Sequence, residues 1–225
     1  MLAERSDRRT SAWPPGAKRI LFVVIALMIV IVLYNNERFI VDHTDPSWTY
    51  YYPIRWLLVP HGMAGAVALF FGLSQFSTRL RTRHPRLHRN LGRSYVVGVS
   101  ISAPMAMYIT TQHNAMPQQI AIFTTALLWL LATGIAFYAI RTKNYQQHKN
   151  WMIRSYAITL TFLVDRVIDV APNLLALDAD TSPNMLWLSE ILAWVVPTII
   201  IDLPGILAFR RIAADANSRV MTPTV

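Results

Sequence analysis

A basic block occurs twice in this chain, each time between two long apolar runs. The first copy reads Arg81-Thr82-Arg83, four residues, His88-Arg89-Asn90, then Arg93-Ser94-Tyr95. The second reads Arg141-Thr142-Lys143, four residues, His148-Lys149-Asn150, then Arg154-Ser155-Tyr156, with one extra residue before the arginine. An apolar run, a basic turn and a second apolar run make a helical hairpin, and two such units in series predict a duplicated fold.

The runs themselves set the class. Of 225 residues 54% are hydrophobic and only 15% charged, too apolar a balance for one soluble core and its surface. Six runs, at about 19–34, 54–76, 95–111, 116–140, 151–171 and 186–209, approach the length needed to cross ~30 Å of hydrocarbon at ~1.5 Å per helical residue. The expected fold is an all-α integral membrane protein of about six transmembrane helices. Hairpins at about 54–111 and 116–171 would form a four-helix core, inside one membrane domain at 19–211 with tails at 1–18 and 212–225. The first run starts like a signal peptide, but Tyr34-Asn35-Asn36-Glu37 lacks a small-residue cleavage pattern, so it reads as a retained span.

Sorting the loops alternately is lopsided. One side receives both basic blocks, the arginines and lysine of the N-terminal tail and Arg210, Arg211 and Arg219; the other holds Arg38 and Arg55 among acidic residues. Positive charge resists translocation, which predicts a bacterial inner-membrane protein with both termini cytoplasmic. The net charge of +9 is spread over segments flanking apolar runs, which suits lipid headgroups better than nucleic acid. Without cysteine there are no disulfides or thiolate metal centres, leaving histidine and carboxylate as metal ligands. No phosphate-cradling loop, nucleophile elbow or zinc-protease motif is present, and no catalytic residue can be named.

Three features carry chemistry. On the second run His61, Gly65, Ala68, Gly72 and Gln75 form one stripe, a surface for a neighbouring helix or a flat cofactor. His88 and His148, matched by the repeat, could ligate a b-type haem near the cytoplasmic side, with Arg93 and Arg154 pairing its propionates; His61 and His113 are the outer candidates. No metal beyond haem iron is expected. The repeat does not reproduce the outer pair, since Ala121 stands where a second His61 would be. In the fifth run Asp165, Arg166 and Asp169, with Glu190 of the sixth, would line an outward-facing polar cavity or a structural ion-pair network. Asp202 lies deep in the last run beside Leu203-Pro204 and marks a second polar position. Tyr50-Tyr51-Tyr52, Trp48 and Trp56 form an interfacial aromatic belt.

The blocks His61-Gly62-Met63-Ala64-Gly65, Gly72-Leu73-Ser74-Gln75-Phe76, His84 to Tyr95 and His148 to Ala157 together resemble a bacterial family of multi-pass membrane proteins without an assigned function, over about residues 55 to 170. That resemblance implies an inner-membrane protein. A more distant likeness, resting on duplication and histidine placement, is to two-haem transmembrane b-type cytochromes. Two functions follow: a b-type haem electron carrier or oxidoreductase subunit meeting a quinone or redox protein, or a cofactor-free transporter, small-ligand binder or assembly partner using the polar cavity. In both, the lipid bilayer is the first partner.

Overall fold

The computed structural model describes residues 15–35, 42, 44, 46–170, 184 and 186–203. It is built of helices: α1 (Pro15–Asn35), α2 (Pro46–Tyr51) with a 3-10 turn (Tyr52–Ile54), α3 (Arg55–Gln75), α4 (Thr78–Arg83), α5 (Pro85–His113), α6 (Met116–Arg141) and α7 (Tyr145–Val170). The last described helix, α8, is Leu186–Leu203. The protein is an all-α membrane protein. The segments 1–14 and 204–225 and the His43 position lie outside the described residues.

Among the described residues three helices are long and apolar enough to cross a membrane: Trp48–Gln75, Met116–Arg141 and Leu186–Leu203. Helices α5 and α7, expected as spans, are less apolar for a physical reason. Their polar residues Tyr95, Ser102, Thr110, Ser155, Thr159 and Thr161 are buried against neighbouring helices. In α1 the apolar stretch is the shorter Phe22–Val32.

The basic blocks are helical for most of their length, where a loop was expected. Ser77 caps α4 by accepting from the Leu80 amide at 3.2 Å, and Pro85 opens α5 at the position where a missing N–H matters least. In the second block α6 ends with Lys143 in the left-handed region (φ 60°); the Lys143 amide donates to the Ile140 carbonyl and the Asn144 amide to that of Ala139. Asn144 then caps α7 through the Gln147 amide. His88 and His148 therefore stand inside the first turns of α5 and α7.

Helices α3, α5, α6 and α7 close a ring: α3 packs on α5, α5 on α6, α6 on α7 and α7 on α3. Tyr95, Val99, Trp129, Ile158 and five alanines fully withdrawn from solvent fill its centre, an assembly that relies on close approach of backbones. A Cβ on Gly98 would lie 2.7 Å from the Ala64 carbonyl oxygen, so only glycine lets α5 come this near α3. Helix α1 lays Ile25, Ile29 and Val32 against Leu163 of α7 and Leu69 and Leu73 of α3. Helix α8 meets α7 through Trp194, whose ring stands edge-on to Trp151 at 6.4 Å.

Candidate functional site

The stripe of α3 is consumed by packing. His61 directs Nδ1 at the Ser102 carbonyl (2.9 Å) while the Ser102 hydroxyl reaches the His61 carbonyl (3.2 Å). Gly65 faces Ser102, Ala68 is fully buried beside Gly98, and Gly92 stands over Gln75. Gly72 takes the rings of Tyr156 and Tyr95. The stripe receives helix α5 and two tyrosines from the two basic blocks.

Those tyrosines organise the bundle centre, a role the sequence reading missed. The Tyr95 oxygen lies 2.6 Å from Ser155 Oγ, 3.1 Å from Thr159 Oγ1 and 3.3 Å from Trp129 Nε1, and Ser155 Oγ lies 2.7 Å from Thr133 Oγ1. One arrangement of hydrogens uses every donor. Thr133 donates to Ser155, Ser155 and the Trp129 indole donate to Tyr95, Tyr95 donates to Thr159, and Thr159 donates to the Ser155 carbonyl at 3.1 Å. This chain ends on a helical carbonyl, which has no proton to release. It locks α5, α6 and α7 together. Tyr156 donates to the Leu69 carbonyl at 3.1 Å, so positions 69 and 129, sixty residues apart, each meet the tyrosine of a basic block.

From this lock the inner histidines can be located. His88 lies seven residues before Tyr95 and His148 seven before Ser155, the two residues whose oxygens meet at 2.6 Å. Seven residues are about two turns, so each histidine shares the face of a residue that points across the bundle, displaced by about 10 Å toward the basic end. Both are half-buried. His148 Nδ1 sits 2.9 Å from the Ala136 carbonyl and therefore donates, which leaves Nε2 as its lone-pair nitrogen. At His88, the Gln75 amide is best satisfied with its nitrogen toward His88 Nδ1 and the His88 carbonyl, both 3.2 Å away. His88 lies before the expected span at 95–111, and burial, then the charges of Arg81, His148 and Arg89, hold its pKa below the ordinary 6.5.

The arginines expected beside a haem stand elsewhere. Arg93 is five residues from His88 and Arg154 six from His148, steps that turn both well away from the histidine faces at ~100° per residue. Arg154, largely buried, pairs with Asp202 of α8 at 2.8 Å and stacks over Trp151; Arg93 is exposed. Arg81 and Arg89 are the cations whose charge reaches His88.

The outer pair is not brought together. His61 is level with Ser102, and His113 is eleven residues further along α5, about 16 Å at ~1.5 Å per residue. His113 instead meets Tyr50, ring centroids 6.2 Å apart. In the expected polar cavity, Glu190 is buried and close enough to Asp165 for their charges to interact, Arg166 is exposed with its charge acting on His61, and the Asp169 side chain lies outside the described residues. Near the aromatic belt, Arg55 donates to the Tyr52 carbonyl at 2.6 Å with its guanidinium 3.6 Å from the Tyr52 ring centroid. Among the described residues no group of three or more histidine, aspartate or glutamate side chains is placed to hold a metal ion.

No curated protein and no solved structure matches the chain. One family does, over residues 58–204, a stretch that holds both basic blocks, the tyrosine lock and all of α8. With the ring of helices and this match in hand, the chain belongs to the family of predicted membrane proteins DUF2306.

Proposed function

We propose that the protein is a membrane electron carrier that holds one b-type haem between His88 and His148, with the basic end of the bundle facing the cytoplasm. The observation that carries this reading is the placement of the two histidines two turns beyond the Tyr95–Ser155 hydrogen bond, on faces that look across the bundle. A low-spin haem held by two histidines needs their imidazoles on opposite sides of one plane. The donor set fits: the Ala136 carbonyl fixes the His148 ring as second-shell acceptors fix metal-bound histidines. At His88 the Gln75 amide has to turn over, so that its oxygen accepts from Nδ1–H and frees Nε2. Arg81 and Arg89 replace Arg93 and Arg154 as partners for propionates. Bound there, haem would supply a one-electron couple at one membrane face. The separation of His61 from His113 makes this a one-haem proposal.

A second reading is favoured by the Gln75 contact, which already occupies His88 Nδ1. In it the same histidines with Arg81 and Arg89 hold a small anion and no cofactor. The outer acids Asp165 and Glu190 would then be structural. A reduced-minus-oxidised visible spectrum of detergent-purified protein, expressed with ample haem, separates the two. A b-type band that is lost in His88→Ala and in His148→Ala supports the carrier; well-folded protein without a band sinks it and leaves the anion site.

A further inference from the structure

The two basic blocks place an arginine at matching positions, but the fold treats them differently. Arg154 is covered by α8, and Asp202 neutralises it at 2.8 Å. Among the described residues Arg93 has no such cover. It opens onto a cavity of about 380 Å³ between α3 and α5, and among the described residues no hydrogen bond or ion pair engages it. Beside Arg93 and Ser94 the lining is apolar, with Val67, Phe71, Val97 and Ile101 along the groove. From Arg93 to Ile101 the groove follows α5 for about 12 Å at ~1.5 Å per residue.

We propose that this groove is a binding site for an anionic phospholipid, its phosphate on Arg93 and one acyl chain along Val67, Phe71, Val97 and Ile101. The order of chemistry along the groove matches a lipid: one cation at the basic end, beside a hydroxyl, then only hydrocarbon. Basic pockets between membrane helices are recognised headgroup sites, and a guanidinium matches phosphate oxygens two at a time. About 380 Å³ spread over about 12 Å leaves a cross-section of about 30 Å², too narrow for a helix about 10–12 Å wide with its side chains and of the scale of a single acyl chain. The lipid would do for Arg93 what Asp202 does for Arg154.

The test incubates purified full-length protein in detergent with phosphatidylglycerol or phosphatidylcholine of equal chain length and counts retained lipid by native mass spectrometry. Wild-type protein is expected to retain phosphatidylglycerol preferentially. Arg93→Gln should reduce that preference roughly tenfold, the loss expected for a charge-assisted contact, while Arg86→Gln, an exposed arginine of the same helix away from the groove, keeps it. Val97→Trp, at an exposed groove position, should lower retention of both lipids with Arg93 intact. Unchanged preference in Arg93→Gln overturns the proposal. Equal losses in Arg93→Gln and Arg86→Gln also overturn it, since they would show only the diffuse charge of the rim.

Discussion

Replacing Gly72 by alanine tests whether the meeting of the two tyrosines holds the bundle. The added methyl would lie 2.6 Å from both Cδ2 and Cε2 of Tyr156 and 2.8 Å from Cε2 of Tyr95. Carbon atoms rest at about 3.5–4.0 Å, so the rings would have to retreat by about 1 Å. Neither is free to do so, because the Tyr156 hydroxyl is tied to the Leu69 carbonyl and that of Tyr95 to three partners. Overpacking of this kind costs about 1–3 kcal/mol and a strained buried hydrogen bond about 1 more, giving about 2–4 kcal/mol. Equilibrium unfolding in mixed micelles, titrated with a denaturing detergent, measures this directly. Gly134→Ala on α6 is the control: nothing lies within 4 Å of its added methyl, so the same change should be neutral or stabilising. In Gly72→Ala with Tyr156→Leu, part of the loss should return, a coupling of about 0.5–3 kcal/mol. Gly72→Ala as stable as wild type would refute the packing argument.

Tyr95→Phe leaves the buried Trp129 N–H and Ser155 O–H without their acceptor, and the same titration should record a loss of about 1–3 kcal/mol. Because the folded state holds the His88 pKa below 6.5, the unfolded chain takes the proton first as pH falls. Stability should therefore be flat above pH 6.5 and decline below it until the folded pKa is passed, and melting curves of His88→Gln should show a smaller decline. Asp202→Asn strands the largely buried Arg154 and should lower the melting temperature; Arg154→Met with Asp202→Leu should recover most of it, since removing a pair is gentler than breaking one.

The hairpins were readable because their signals are local: apolar runs, a basic turn, a proline opening α5 and histidines at matched positions. The level of His61 and His113 was not. Both fall near the same expected membrane face, but the register of α3 against α5 is set by Gly98 meeting Ala64 and by Ser102 meeting His61, pairings between residues some forty positions apart. Arg93 and Arg154 lie within a few residues of the histidines in sequence, and only the helical rotation turns them away. Asp202 was visible as an intramembrane acid, yet its partner is decided by where α8 docks. Tyr95 and Tyr156 were part of the repeated blocks from the outset. Their meaning was hidden because a tyrosine flanked by Ser94 and Val96 gives no sign that Trp129, Ser155 and Thr159 wait for its hydroxyl.

The shared seat at Gly72 has a consequence for biosynthesis. Helices α3 and α5 carry Gly72 and Tyr95, whereas the three side chains that meet the Tyr95 hydroxyl, Trp129, Ser155 and Thr159, lie on α6 and α7. Ser155 and Thr159 come sixty or more residues after Tyr95 in the chain, and Tyr156 closes the other side of the glycine from the same helix. A chain interrupted between the hairpins would lack all three of those partners and one of the two rings that seat on Gly72. Completion of the second hairpin is what supplies partners to the buried hydroxyl of the first.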